Sequence, residues 1–226
     1  MRKYVLGGWL RPLAHGAHVR PGHTLGWAGV LLGMQRLAGI PCHLGGLSAL
    51  NRQGLGHFLP LGGEQRVHVM SARKPPAWVK AVALSEELFF DTRLLFSDEA
   101  REAGLTTWPT GIRDWTLPMA GPERAMMEML NDVEGGGFSF DHAARVFESL
   151  TVLRPRVVND LLAACRSIKV KRIFLFFATH YNYPWAKRLE TAALELGRGN
   201  RQVVKGGRLD TRFRITVPES FGAEQF

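Results

Sequence analysis

The stretch PRVVNDLLAACRSIKVKRIFLFFATHY, residues 155–181, contains two consecutive segments of helical periodicity. Apolar residues recur three and four positions apart in both segments, which predicts two helices that each bury one face. These positions are Val158, Leu161, Leu162 and Cys165 in the first segment and Val170, Ile173, Phe174 and Phe177 in the second. Because Lys169, Lys171 and Arg172 lie beside the second apolar stripe, we expect their charged groups to point into solvent.

Further helices are predicted on both sides of this pair. They lie in TLGWAGVLLGMQRLAG (24–39), GGLSALNRQGLGHF (45–58), GPERAMMEMLND (121–132) and SFDHAARVFESLTVL (139–153), with Thr24 as an expected cap of the first and Pro122 at the start of the third. Short strands are predicted in QRVHVM (65–70), ELFFDTRLLF (87–96), GLTTWP (104–109) and RDWTLPM (113–119). The pattern predicts an α+β fold, with small sheets and a helical layer.

The C-terminal stretch LELGRGNRQVVKGGRLDTRFRITVP, residues 194–218, alternates glycines with short β-like runs. Strand alternation within it would place Arg212 and Arg214 on one face. Near the other end of the chain, YVLGGWLRPLAHGAHVRPG (4–22) predicts two strands around a turn at His15-Gly16, flanked by Arg11 and Arg20. A basic hairpin of this kind often forms the wing of a winged-helix DNA-binding domain.

The composition excludes several classes of protein. In 226 residues, 46% are apolar and 22% are charged, which is typical of a globular chain with a substantial core. The two cysteines, Cys42 and Cys165, lie in no paired motif and indicate neither a disulfide framework nor a zinc site. The sequence contains no signal-peptide core and no apolar run long enough for a membrane span, so we expect a cytoplasmic protein without membrane association.

The net charge of +9 is concentrated in two segments. Residues 1–23 contain four Lys or Arg and no acidic residue, and residues 154–214 contain 14 basic and four acidic residues. Such asymmetry favours a polyanionic partner, most often a nucleic acid, although a solvated basic face remains the alternative. The candidate nucleic-acid-binding residues are Arg2, Lys3, Arg11, Arg20, Lys169, Lys171, Arg172, Lys187, Arg188, Arg198, Arg201, Lys205, Arg208, Arg212 and Arg214.

No arrangement of residues argues strongly for catalysis, a metal or a cofactor. The eight histidines include no H-x-x-x-H pair on a predicted helix. Cys42-His43 could suggest a nucleophile and a base, but adjacent side chains point apart, and a core cysteine is the alternative that we favour. The acidic residues Glu86, Glu87 and Asp91 could be nuclease carboxylates, but no lysine follows them closely.

Several stretches occur in an order that resembles the AbiEi family of antitoxins, which are transcriptional regulators of type IV toxin–antitoxin systems. They are GGWLRPLAHGAHVRPG, LGWAGVLLGMQ, PCHLGGLSALNRQGLGHFLP, PERAMMEMLND, LLAACRSIKVKRIFLFFATHYNYPWAKRL and VKGGRLDTRFRITVP. Each stretch alone is a weak signal, whereas their order and spacing together are specific. The family usually has a serine cap before PERA, where this chain has Gly121.

The resemblance implies a domain organisation and a function. In the family, a helix-turn-helix precedes the hairpin, and we expect it to be absent here through truncation, a misplaced start site or a natural short form. Residues 1–23 would then be a partial winged helix and residues 24–226 the antitoxin domain, with a further boundary expected near residue 72.

The implied partners are operator DNA, bound cooperatively by a monomer, and a nucleotidyltransferase-like toxin of the abortive-infection type, opposed without a stable complex. The expected function is that of a non-enzymatic antitoxin and autorepressor. The alternatives are a general nucleic-acid-binding module without an antitoxin role and a metal-dependent nuclease.

Overall fold

The computed structural model describes residues 2–14, 17–56, 66–135 and 137–221. Its contacts divide the chain into two compact units that interleave along the sequence. The first unit comprises Met1–Leu44, Pro60–Arg93 and Thr107–Met119, and the second comprises Gly45–Leu59, Leu94–Thr106 and Ala120–Phe226.

The first unit begins with a short helix and the predicted hairpin. Helix α1 (Arg2–Leu6) precedes strands β1 (Arg11–Ala14) and β2 (Ala17–Val19), which pair antiparallel with Arg11 opposite Val19. The predicted turn at His15-Gly16 lies outside the described residues. The hairpin contacts a 3-10 turn at Ala77–Ala81, so it is integrated into the first unit through β1.

Helix α2 (Trp27–Ala38) and a five-stranded sheet form the core of this unit. The strands are β3 (Cys42–Leu44), β4 (Arg66–Ser71), β5 (Glu87–Asp91), β6 (Leu105–Pro109) and β7 (Thr116–Ala120), in the order β5-β4-β3-β7-β6. The central strand β3 pairs antiparallel with β4 and parallel with β7. It was not predicted, because three residues are too few to show an alternating pattern.

The predicted cap of α2 is wrong, whereas its predicted end is correct. The N-cap is Gly26 instead of Thr24, and no side chain accepts a hydrogen bond there. At the other end Gly39 has φ +59°, a left-handed conformation that glycine adopts without a Cβ penalty, and its N–H donates to the Met34 carbonyl.

The second unit contains the helices predicted in the second half of the chain, together with α3 (Gly46–Arg52). They are α4 (Pro122–Asn131), α5 (Phe140–Glu148), α6 (Pro155–Ala164) and α7 (Ile168–Tyr181). Proline starts α4 and α6, where its missing N–H costs no helical bond. The Ser139 and Ser167 hydroxyls accept N–H bonds at the starts of α5 and α7.

Gly121 shows why a serine is not needed before α4. Its N–H donates to the Gly104 carbonyl at 2.7 Å, and a Cβ on Gly121 would lie 3.0 Å from that oxygen. The close backbone approach therefore favours glycine at this cap.

Helix α4 is buried along nearly its whole circumference, including its charged residues. The Arg124 guanidinium bonds Glu128 at 2.8 Å and also donates to the carbonyls of Ala100, Arg101 and Ala103. The other Glu128 oxygen accepts from the Gly46 N–H at the start of α3. These bonds satisfy the buried charges, which would otherwise cost several kcal/mol.

Aromatic side chains fill the space between α5 and α7. The rings of Phe140 and Phe177 are 4.8 Å apart and those of Phe147 and Phe174 are 5.2 Å apart, and all four side chains are fully buried. The Trp185 indole packs near Phe147 and donates to the Leu150 carbonyl at 2.9 Å. The aromatic stripe predicted as core on α7 is therefore core.

The last two strands of the described residues, β8 (Arg208–Asp210) and β9 (Ile215–Val217), pair antiparallel. The predicted α+β class, with small sheets and a helical layer, is confirmed. Of the helices in the described parts of the chain, none combines the length and hydropathy that crossing a bilayer would take.

Candidate nucleic-acid interface

Most of the predicted basic residues of the C-terminal segment are exposed. They lie on a 3-10 turn at Ala186–Arg188, on the loop that leads to β8, on β8 itself and on the turn before β9. The exposed residues are Lys187, Arg188, Arg198, Arg201, Lys205, Arg208, Arg212 and Arg214. Their positive charges are available to solvent and to a polyanion.

The predicted strand face at Arg212 and Arg214 is wrong. Both residues lie in the turn between β8 and β9, and the strand begins only at Ile215. Arg214 has φ +54°, which no β-strand residue adopts. Phe213 is buried between these two exposed arginines, and its N–H donates to the Asp210 carboxylate at 2.7 Å, which holds the turn.

The expectation that Lys169, Lys171 and Arg172 point into solvent is also wrong. Lys171 is 5% exposed and Arg172 is 2% exposed. The Lys169 ammonium donates to the carbonyls of Asn131 and Val133, both at 2.9 Å, at the end of α4. There it neutralises the negative end of that helix instead of facing a ligand.

Arg172 is surrounded by backbone carbonyls. Its guanidinium donates to four oxygens, those of Leu196, Gly197, Gly199 and Arg214, at 2.8 to 3.1 Å. We call these four oxygens the carbonyl cage. Lys171 donates to the neighbouring Glu195 carbonyl at 3.2 Å. The two buried cations thus hold the loop that carries Arg198 and Arg201 against α7.

No local pattern in the sequence predicts this arrangement, because the acceptors lie 24 or more residues away from Arg172. The glycines of LELGRGN could have suggested a loop whose carbonyls approach another element closely. Burial lowers the pKa of Arg172, and the charges of Arg201 and Arg214 lower it further. Its acceptors are neutral, so the positive charge at this point is not cancelled by them.

The predicted basic residues at the start of the chain are exposed as well. Arg2 and Lys3 lie on α1, Arg11 lies on β1 and Arg20 follows β2. Three large apolar side chains share this segment and are also exposed, namely Tyr4 (60%), Leu6 (80%) and Trp9 (74%). Cations next to exposed aromatic rings are a combination that nucleic-acid-binding surfaces use. The sequence prediction did not single out these three apolar residues.

The groups considered for catalysis have other partners. Burial raises the pKa of the Cys42 thiol to about 12, despite a hydrogen bond with Gln35, so the thiol stays protonated at neutral pH. Glu87 pairs with Arg66 at 2.8 Å and Asp91 pairs with Arg93 at 2.6 Å. Within the residues that the structure describes, no three His, Cys, Asp or Glu side chains form a group suited to a metal ion.

Comparison with known proteins adds two family matches and a structural match. A family described as "Transcriptional regulator, AbiEi antitoxin, Type IV TA system" matches residues 64–218, and its N-terminal domain matches residues 1–61. The crystal structure of the RV2827C protein from Mycobacterium tuberculosis is similar, with a TM-score of 0.57 and 14% identity over 95% of this chain and 77% of that chain. That likeness shows a shared fold. No curated protein matches the chain.

Proposed function

Because the chain belongs to the AbiEi antitoxin family of transcriptional regulators in type IV toxin–antitoxin systems, we propose that it binds the operator of its own operon and represses transcription. The family membership confirms the resemblance found in the sequence motifs. The observation that carries the proposal is that basic side chains are exposed in both basic segments of the chain, as binding to DNA requires. A chromosomal operator would place the protein in the cytoplasm.

The N-terminal residues supply the first part of the proposed interface. A helix followed by an antiparallel hairpin is the order in which a winged helix presents the end of its recognition helix and its wing. We assign Arg2, Lys3, Arg11 and Arg20 to phosphate contacts there, because their side chains are exposed and no acidic residue lies in residues 1–23.

The exposed cations of the C-terminal segment supply the second part. As a separate group of exposed cations, they would raise the number of phosphates that one monomer contacts. Lys169, Lys171 and Arg172 are excluded from this surface, since their donors are bonded to carbonyls of the chain itself. Lys171 and Arg172 contribute by holding the loop that carries Arg198 and Arg201, whereas Lys169 bonds the end of α4.

As an antitoxin, the protein would oppose a nucleotidyltransferase-like toxin without forming a stable complex with it, and no chemical step of its own is required. A monomer that binds neighbouring operator sites cooperatively fits this proposal. The antitoxin role is tested by co-expression with the toxin of the same operon: restored growth supports it. DNA binding without restored growth would favour a general nucleic-acid-binding module instead.

Operator binding is tested by fluorescence anisotropy with the upstream DNA and a scrambled duplex at several salt concentrations. We expect the double variant Arg11→Gln/Arg20→Gln to weaken binding and to lower the slope of log affinity against log salt by up to about two units. The control Lys74→Gln/Arg145→Gln removes two exposed charges outside both basic segments and should leave the slope unchanged. Equal effects of the two double variants would contradict a localised interface.

A further inference from the structure

Three arginines that are distant in sequence meet beside the carbonyl cage. The Arg172 guanidinium donates through one nitrogen to the Gly199 carbonyl at 2.9 Å and to the Arg214 carbonyl at 3.0 Å. The same Arg214 carbonyl accepts from the Arg201 N–H at 2.8 Å. We call Arg172, Arg201 and Arg214 the arginine cluster. The backbone bond holds the segments of Arg201 and Arg214 side by side, and the charges of both residues act on the buried Arg172.

The backbone around the cluster is held firmly. The Arg201 carbonyl accepts from the Thr216 N–H at 3.1 Å, which closes a bridge between Arg201 and β9. The Thr216 hydroxyl bonds to the amide and carbonyl of Val204 at 3.0 and 2.7 Å. Arg214 is left-handed at φ +54°, which costs an arginine roughly 1 kcal/mol or more and persists only where neighbouring bonds impose it.

The cluster also keeps its positive charge. Arg172 bonds only neutral oxygens in the carbonyl cage, and the Glu195 and Asp210 carboxylates accept backbone N–H groups of Gly197 and Phe213. Within the described residues, neither Arg201 nor Arg214 forms an ion pair with a carboxylate. Burial is the first cause of the lowered pKa of Arg172, and the charges of Arg201 and Arg214 lower it further.

We propose that Arg201 and Arg214 together bind one phosphate group of duplex DNA, over the positive charge of the buried Arg172. The proposal rests on the proposed function and names one contact within it. Guanidinium groups bind phosphate oxygens through paired N–H donors, and a backbone fixed in advance lowers the entropic cost of bringing two arginines to one phosphate. An anion here would relieve the repulsion between the three arginines.

The test compares salt dependence of operator binding for the full chain, Arg201→Gln, Arg214→Asn and the double variant. Asparagine is chosen at position 214 because it tolerates the left-handed conformation. If both arginines hold one phosphate, the double variant loses about 0.9 units of slope, the value for a single phosphate. Two independent contacts would lose about twice as much. The double variant Lys74→Gln/Arg145→Gln, which removes two exposed charges outside both basic segments, is the matched control for charge.

A second measurement separates binding from folding. Since the variants remove like charges and keep the backbone bonds, their thermal midpoints should equal or exceed that of the wild type. Inorganic phosphate should compete with DNA more weakly in the double variant than in the wild type.

A loss of slope about twice that of a single phosphate would show two independent contacts and would refute the shared phosphate. Three further outcomes would also overturn the assignment. If the wild type binds DNA and the double variant keeps the same slope of log affinity against log salt, the phosphate site at the arginine cluster is refuted. The proposed function is not affected by that result. A loss of slope on single-stranded RNA but not on DNA would refute the assignment to duplex DNA. Absence of nucleic-acid binding by the wild type would refute the proposed function and the cluster with it.

Discussion

Replacing Arg172 with methionine should detach the C-terminal loop from α7. The four bonds to the carbonyl cage are donated by a charged group, and such bonds contribute roughly 1.5 to 3 kcal/mol each when fully buried. Three of the acceptor residues, Gly197, Gly199 and Arg214, are exposed, so water can replace the lost donor. Each bond is therefore expected to contribute about 1 kcal/mol to the free energy of unfolding. Relief of repulsion from Arg201 and Arg214 offsets part of the loss.

The expected loss in the free energy of unfolding is about 3 kcal/mol, which corresponds to a midpoint about 6 to 12 °C lower for a chain of this size. Thermal unfolding followed by circular dichroism measures the shift, and hydrogen exchange locates it. The amides of Arg201, Val204 and Thr216 should exchange faster, while those of α5 should keep their protection.

The control is Arg198→Met, an exposed arginine on the same loop, which should change stability by less than about 0.5 kcal/mol. The reasoning is refuted if Arg172→Met also changes the free energy of unfolding by less than about 0.5 kcal/mol and leaves hydrogen exchange at Thr216 unchanged. The carbonyl cage would then contribute nothing to stability.

The buried Glu123 carboxylate, the buried Cys42 thiol and the N-terminal hairpin can each be tested. Burial alone would raise the pKa of Glu123, but hydrogen bonds from the Arg154 side chain and backbone outweigh it and lower the pKa below its ordinary value. The contribution of this pair is therefore complete above the unfolded-state pKa, about 4.3, and is lost as pH falls through the lower folded-state value. Glu123→Gln should cost about 2 kcal/mol at pH 7 and flatten the acid limb of the stability profile, as measured by urea unfolding from pH 2 to pH 7; an unchanged acid limb would contradict it. With its pKa raised to about 12, the Cys42 thiol should resist iodoacetamide at pH 8 in the native protein and react in urea, and rapid native labelling would show that it is accessible. Deleting residues 1–23 should leave a cooperative thermal transition, because α1, β1 and β2 contribute no buried residue, and a dye-binding product without a transition would show the opposite.

The helices of the second unit could be predicted because their boundaries are local. Pro122 and Pro155 start α4 and α6, and Ser139 and Ser167 cap α5 and α7, so a few adjacent residues determine each of these four elements. The central strand β3 could not be predicted, since its conformation depends on pairing with β4 and β7 instead of on its own three residues.

Only part of the candidate interface could be predicted, because part of it also depends on contacts between segments that are distant in sequence. The exposure of Arg201 and Arg208 follows from their polar, glycine-rich surroundings. The burial of Lys171 and Arg172 depends on a loop that returns from far along the chain and covers α7 on the side expected to face solvent. Periodicity identifies the buried stripe of a helix but cannot identify a second neighbour on its other side.

The position of β3 has a consequence for dissecting the protein into fragments. The family matches end at residue 61 and resume at residue 64, yet β3 comes from the first segment and lies in the middle of a sheet whose other strands come from the second. Cutting the chain between residues 61 and 64 would separate β3 from the rest of its sheet. The edges of β4 and β7 would then be unpaired. Separately expressed, the two pieces should each be prone to aggregation, and on mixing they should reassemble by strand complementation. A conventional domain-by-domain expression strategy would thus yield two pieces, neither of which contains either compact unit complete.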